Sequence, residues 1–124
     1  MLLLDTSAWI EFFIKSNKGE NVKHYLKTKS CYTSIISIAE ISNWAIKQNL
    51  DGKELIKYVI ELTQILNLTT KISLLAGELN FQRKKVKKNW GILDSFILAT
   101  AQIYNLKILT KDSQFKNLPN LEML

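Results

Sequence analysis

Several residue types that build common sites are scarce in this chain of 124 residues. A single cysteine, Cys31, excludes an internal disulfide, and a single histidine, His24, leaves no cysteine and histidine set for zinc. Only four glycines and one proline occur, and no linker or repeat marks a boundary. The sequence therefore predicts one domain over residues 1–124, with Cys31 buried in a strand.

The chain also lacks a long apolar run. Its N-terminal segment "MLLLDTSAWIEFF" contains Asp5 and Glu11, and it falls short of the roughly 18 uninterrupted apolar residues that a membrane helix needs. No serine or lysine arrangement indicates a catalytic triad, and no glycine-rich loop of the nucleotide-binding type is present. We therefore expect a cytoplasmic protein that does not enter the membrane.

Positive charge is in excess. The chain has 17 lysines and arginines against 11 acidic residues, a net charge of +6, and the segment "RKKVKK" from Arg83 to Lys88 concentrates five cations. Basic surfaces bind nucleic acids by releasing counterions from the phosphate backbone. Cations also suit the C-terminal end of a helix, so a solvated helix end explains this segment equally well.

Apolar runs and helical spacing alternate along the chain. The runs predict strands at residues 2–4, 31–36, 65–68, 106–110 and 121–124. The spacing predicts helices at residues 6–14, 37–49, 51–66, 71–85 and 89–104. This alternation predicts an α/β fold in which right-handed crossovers join parallel strands.

Four acidic residues stand beside these apolar runs. Asp5 follows the first predicted strand, Glu40 lies in the first turn of the helix after the second, and Asp112 lies two residues past the fourth. Asp94 heads the helix that leads into the fourth strand. Because α/β sheets bind ligands beyond the carboxyl ends of their strands, Asp5, Glu40 and Asp112 are expected near one rim of the sheet. The strand pattern leaves the position of Asp94 relative to that rim open.

Each acidic residue also has a simpler structural explanation. Asp5 can cap a helix, Ser37–Glu40 has the sequence of a capping box, Asp94 suits a helix N-terminus, and Asp112 suits an Asx turn. Taken together, however, four carboxylates beside buried sequence are costly unless a cation pairs with them. With few arginines nearby, a hard divalent cation is the natural partner.

Three segments carry a family resemblance. "LLLDTSAWIEFF", "TSIISIAEIS" and "GILDSFILATAQIYNLKILTKDSQF" resemble, in this order, the successive motifs of the PIN domain, and specifically of small VapC-type toxin ribonucleases. The resemblance runs from Met1 to about Phe115. It implies a three-layer α/β/α sandwich around a parallel sheet of about five strands. In one respect the chain departs from the pattern, because Gln114 stands where many relatives carry an acid.

The resemblance also implies a site. Its acidic cluster would consist of Asp5, Glu40, Asp94 and Asp112, with the hydroxyls of Thr6 and Thr110 beside it. Hydrolysis of a phosphodiester needs an activated water and neutralised charge, which Mg²⁺ or Mn²⁺ supplies. We expect Asp5 and Asp94 as principal ligands, Asp112 as an assisting ligand, and Glu40 as a ligand through water or a base. Protonation of these carboxylates predicts weak activity at acidic pH.

Partners follow from the same resemblance, which implies an RNA substrate, a homodimer and a cognate antitoxin protein. Six residues are candidates for RNA binding: Arg83, Lys84, Lys85, Lys87, Lys88 and Trp90. Trp90 would bind by stacking on a base, although a tryptophan in such a context more often packs in a core. An apolar dimer face is expected around four residues that would serve equally well as core: Ile35, Ile36, Trp44 and Ile56.

Three other functions stay open at this point. A PIN-like RNA-processing or repair nuclease would use the same site, and a neighbouring antitoxin gene would argue against it. A non-catalytic PIN fold acting as a binding module requires that the acids hold no metal. A phospho-acceptor signalling domain would want a second acid beside Asp5 and a lone aspartate ending a central strand, and neither is evident.

Overall fold

Five short strands alternate with six helices, and the computed structural model describes all 124 residues. The strands are β1 Leu2–Leu4, β2 Cys31–Ser34, β3 Gln64–Leu66, β4 Lys107–Thr110 and β5 Leu121–Met123. The helices are α1 Thr6–Phe13, α2 Asn17–Thr28, α3 Ile35–Lys47, α4 Gly52–Leu62, α5 Thr70–Lys84 and α6 Ile92–Tyr104, and a 3-10 turn spans Ser113–Phe115. None of these helices combines the length and apolar content needed to cross a membrane.

The sheet is parallel throughout, with the strand order β3-β2-β1-β4-β5. From the central strand β1 the chain moves outward through β2 to β3, and it then returns to place β4 on the other side of β1. The direction of winding therefore reverses between β1 and β4. In open α/β sheets the crevice beyond the carboxyl ends at such a reversal is the usual place for a ligand.

Helices cover both faces of the sheet. Successive residues of a strand point to opposite faces, so Leu2 and Leu4 enter one core and Leu3 enters the other. The first core is completed by residues of α1 to α4, including Trp9, Val22, Ile41 and Val59. The second is completed mainly by α6 and the segments beside it, including Trp90, Ile97, Leu98 and Phe115. Helix α5 packs onto α6, which confirms the expected three-layer α/β/α arrangement.

A buried chain of hydrogen bonds runs through the first core. Trp9 Nε1 donates to Thr33 Oγ1 at 3.1 Å, and the hydroxyls of Thr33 and Thr63 lie 2.8 Å apart. Thr63 in turn donates to the carbonyl of Val59 at 2.8 Å. A buried indole N–H needs a partner, so this chain of bonds holds α1, β2 and α4 in one relative position.

Helix α2 has no predicted counterpart, and helix α6 begins at Ile92, three residues after the predicted start at residue 89. Two further boundaries differ from the predictions because conformation at the ends of helices overrides the apolar pattern. Strand β2 was expected to reach residue 36, but the Ser34 hydroxyl accepts from the Ile36 N–H at 3.1 Å, so helix α3 begins at Ile35. The helix expected over 51–66 ends at Leu62 because Thr63 adopts an extended conformation that leads into β3. Cys31 is buried in β2, as predicted.

Candidate metal centre

Asp5 lies at the carboxyl end of β1, where the winding of the sheet reverses. Its side chain is buried, and its Oδ2 accepts from Thr110 Oγ1 at 2.9 Å and from Ser7 Oγ at 3.0 Å. Burial raises the pKa of Asp5, and these two hydrogen bonds oppose that rise. Although Asp5 is the N-cap residue of α1, its side chain accepts no capping hydrogen bond, so the simpler explanation for this acid is wrong.

Glu40 reaches the same edge from α3. Because α3 begins at Ile35, Glu40 lies in the second turn and not in the first, and the expected capping box at Ser37–Glu40 does not form. Glu40 Oε1 instead accepts from Thr6 Oγ1 at 2.7 Å, across from α1. Burial raises the pKa of Glu40, and repulsion from Asp5 adds to the rise. Thr6 therefore lies beside the acids as the resemblance implied.

Asp112 lies on the loop that follows β4. Its Oδ1 accepts from the Gln114 N–H at 2.9 Å, which confirms the Asx-turn explanation for that oxygen. Its own N–H donates to Thr110 Oγ1 at 2.9 Å. Thr110 thus bonds both to the loop of Asp112 and to the carboxylate of Asp5, so one hydroxyl ties the two acidic segments together.

Ser7 performs a similar task and was missed in the sequence. Its hydroxyl donates to Asp5 Oδ2, lies 3.1 Å from Thr110 Oγ1, and accepts from the Lys111 N–H at 3.0 Å. The available signal was its position two residues after Asp5, in the first turn of α1. The Ser7 hydroxyl therefore joins α1 to the loop after β4 beside the carboxylate of Asp5.

Asp94 is the third residue of α6, and its Oδ2 accepts from the Gly91 N–H at 3.3 Å. Helix α6 leads into β4, which starts at the amino edge of the parallel sheet, so α6 runs opposite to the strands and begins at their carboxyl edge. Burial raises the pKa of Asp94 to about 6, and repulsion from Asp5, Asp112 and Glu40 adds to the rise. All three of the other acids therefore act on Asp94, as expected for carboxylates gathered at one edge.

No cation neutralises this group of acids. The chain contains two ion pairs, Lys57 with Glu54 and Lys111 with Glu11, and neither involves the four carboxylates. Carboxylate oxygens without a protein cation are the ligands that hard ions such as Mg²⁺ and Mn²⁺ prefer. The residues fit such an ion in donor type and charge, although no three acidic side chains converge as a preformed set of ligands.

The structure corrects one member of the expected RNA-binding set. Trp90 is only 1% exposed, its Nε1 donates to Ser95 Oγ at 2.6 Å, and its ring packs edge to face on Phe115 at 5.0 Å. A ring buried in this way cannot stack on an RNA base, so that prediction is wrong and packing is its role. Arg83 is half-buried against Trp90, Lys87 is half-buried, and three lysines are exposed: Lys84, Lys85 and Lys88.

Comparison with known proteins agrees with this architecture. The model of the PIN domain matches residues 2–121, and the chain belongs to the PIN domain family. No curated protein matches its sequence.

Three solved structures illustrate the shared fold. A toxin-antitoxin complex from Klebsiella pneumoniae has a TM-score of 0.80 at 22% identity, over 99% of this chain and 97% of that chain. VapBC2 from Rickettsia felis, bound to a promoter DNA fragment, has a TM-score of 0.78 at 20% identity, over 99% and 98%. VapC20 from Mycobacterium tuberculosis, a toxin that cleaves the sarcin-ricin loop, has a TM-score of 0.73 at 13% identity, over 93% and 92%. The chain therefore has the fold of VapBC toxins.

Proposed function

We propose that the protein is a divalent-metal-dependent endoribonuclease and the toxin component of a VapBC-type toxin-antitoxin system. The observation that carries this proposal is the group of four carboxylates without a cation partner at the reversal point of a PIN fold. Membership of the PIN family and the fold shared with VapBC toxins support it.

The proposed chemistry assigns a task to each acidic residue. When bound, Mg²⁺ or Mn²⁺ supplies an acidified water and neutralises charge on the phosphate. Asp5 and Asp94 would hold the ion, with Asp112 assisting. Thr110 and Ser7 keep the Asp5 carboxylate in one orientation by donating to its Oδ2. Glu40, held by the Thr6 hydroxyl, orients the attacking water or accepts its proton.

RNA would approach over the segment that precedes α6. The exposed cation Lys84 ends α5, and the exposed cations Lys85 and Lys88 lie in the connection to α6, which carries Asp94. Lysine ammonium groups at these positions suit the phosphate backbone of single-stranded RNA. The half-buried Lys87 lies in the same connection and completes this basic segment.

RNA cleavage in the presence and absence of metal tests this function. Purified protein should cleave single-stranded RNA with Mg²⁺ or Mn²⁺ and lose this activity in EDTA. Asp5→Asn should reduce cleavage by at least about a hundredfold, as removal of a metal ligand does. Glu61→Gln is the matched control because Glu61 is exposed on α4. Cleavage that resists EDTA, or full activity of Asp5→Asn, would contradict the proposal.

We further propose a cognate antitoxin and a homodimer. The solved relatives are toxin-antitoxin complexes, which supports an antitoxin partner. Of the four expected dimer residues, Ile36 and Ile56 pack against the cores, whereas Ile35 is 39% exposed and Trp44 is half-buried. Sedimentation of the purified protein should give twice the monomer mass, and Ile35→Asp should shift it to monomer. A wild-type monomer at all concentrations would contradict the homodimer.

A further inference from the structure

One side chain of the basic segment lies between the two segments that carry Asp94 and Asp112. Arg83 is half-buried at the end of α5, and its Nη2 donates to the backbone carbonyl of Gln114 at 2.8 Å. The carbon of the same guanidinium lies 4.8 Å from the centre of the Trp90 ring. Arg83 therefore contacts both the loop after β4 and the segment before α6.

The contact with Gln114 bears directly on Asp112. The Gln114 N–H donates to Asp112 Oδ1 at 2.9 Å, while the Gln114 carbonyl accepts from Arg83. Both bonds require the same backbone conformation at residue 114. Arg83 therefore favours the loop conformation in which the Asp112 side chain is held by its Asx turn.

The contact with Trp90 bears in the same way on Asp94. Trp90 Nε1 donates to Ser95 Oγ, and Ser95 Oγ donates to Asn80 Oδ1 at 3.2 Å, which fastens the first turn of α6 to α5. The residue after Trp90 is Gly91, whose N–H donates to Asp94 Oδ2. The position of the Trp90 ring thus fixes the start of the helix that presents Asp94.

The two segments also contact each other under Arg83. The Trp90 ring packs edge to face on Phe115, which directly follows Gln114. A planar guanidinium suits this arrangement because it can lie on an aromatic face and donate in its own plane, which a lysine ammonium cannot do. Arg83 makes no ion pair with any acidic residue. Its effect on the acids is therefore one of placement.

We propose that Arg83 is a positioning residue of the metal centre, holding Asp94 and Asp112 in their relative places through Trp90 and Gln114. This proposal rests on the metal-dependent function proposed above. It removes Arg83 from the RNA-binding set, so that the basic segment divides into one positioning arginine and its neighbouring lysines. Loss of Arg83 should weaken metal binding although Arg83 never contacts the ion.

Calorimetric titration of Mn²⁺ into metal-free variants tests the effect on the metal. Wild type should bind Mn²⁺ saturably, and Arg83→Met should bind about 10- to 100-fold more weakly, as removal of outer supporting groups does. The affinity of Arg83→Lys for Mn²⁺ should lie between those of wild type and Arg83→Met, because an ammonium can donate to the Gln114 carbonyl but cannot stack on the Trp90 ring as a planar guanidinium does. Lys71→Met is the matched control, since it removes one positive charge from an exposed position on the same helix α5, and it should bind Mn²⁺ as wild type does.

Hydrogen exchange without metal tests placement independently. The amides of Gln114 and Gly91, which bond to Asp112 and Asp94, should exchange faster in Arg83→Met than in wild type. The Gly19 amide, which bonds to Ser16 Oγ, should be unchanged. If Arg83→Met does not fold, Arg83→Lys is compared with wild type in the same two measurements.

Wild-type Mn²⁺ affinity in Arg83→Met would overturn the positioning role, and so would unchanged exchange at Gln114 and Gly91. If wild type itself binds no Mn²⁺, the metal-dependent function fails, and the exchange rates then decide alone whether Arg83 holds the two segments. The two proposals therefore fail separately.

Discussion

Replacing Asp94 by asparagine is expected to stabilise the metal-free protein at neutral pH while abolishing its binding of divalent cations. Asparagine keeps the size of the side chain, and its oxygen can still accept from the Gly91 N–H. What it removes is a negative charge that is partly buried beside Asp5, Asp112 and Glu40. The same substitution thus relieves repulsion and deletes a ligand.

The sign and size of this change in stability follow from the pKa of Asp94, which is about 6 in the folded protein against an ordinary value of 3.8. Since the folded state binds this proton more tightly than the unfolded chain, the stability that Asp94 contributes is fully present below pH 3.8 and is lost as the pH rises through 6. Each tenfold change in acidity corresponds to about 1.4 kcal/mol, which gives about 3 kcal/mol in full. Solvent screens this half-exposed group, which reduces the difference to about 1 to 2 kcal/mol.

Urea and thermal unfolding in EDTA measure this difference. At pH 7, Asp94→Asn should exceed wild type by about 1 to 2 kcal/mol in free energy of unfolding, or by roughly 4 to 8 °C in melting temperature. At pH 4 the two proteins should agree closely, because Asp94 is then protonated. An asparagine variant that is less stable than wild type by the same amount at both pH values would refute this reasoning and make Asp94 a structural cap.

Two further predictions concern the neighbourhood of the acids. Thr110→Val removes a buried hydroxyl that bonds to Asp5 and to the loop of Asp112, so it should cost about 1 to 3 kcal/mol of stability in urea unfolding. Thr100→Val, whose hydroxyl bonds only within α6, should cost less, and an equal cost would count against a special role for Thr110. The second prediction uses the Asp94→Asn variant, which should bind RNA without cutting it. Replacing Lys84, Lys85 and Lys88 by methionine in this variant should weaken the salt dependence of RNA binding. The slope of log affinity against log salt concentration should fall by about 0.7 for each phosphate that these lysines neutralise. An unchanged slope would mean that RNA binds elsewhere. The control is the same replacement at three exposed lysines of α2, Lys18, Lys23 and Lys27, which should leave the slope unchanged.

Much of the sheet edge could be predicted from the sequence because parallel topology does the placing. An apolar strand followed at once by an acid, as at Asp5, puts that acid at the carboxyl edge whatever the rest of the chain does. The same logic located Asp112 after β4. The sequence left the place of Asp94 open, because helix α5 lies between β3 and α6. Helix α6 begins at the carboxyl edge because it leads into β4, which starts at the opposite edge of the sheet.

The details that failed depend on contacts between distant segments. The sequence left two roles open for Trp90, base stacking and core packing, and the contact that decides for packing comes from Phe115, which lies far along the chain. The hydrogen bond of Glu40 depends on where α3 begins, which the Ser34 cap decides. Helix α2 was missed because its apolar stripe is short: only Val22, Tyr25 and Leu26 face the first core, and most other positions on the helix are charged or polar.

Titration of Mn²⁺ into the metal-free protein, followed by calorimetry, bears most closely on the claim that these carboxylates form a metal centre. Wild type should show saturable binding at pH 7 that weakens as the pH falls below 6, because protons then compete for Asp94. Asp94→Asn should show no saturable binding while remaining folded. Absence of binding in the wild type, or equal binding in the variant, would contradict the metal centre and return these acids to purely structural roles.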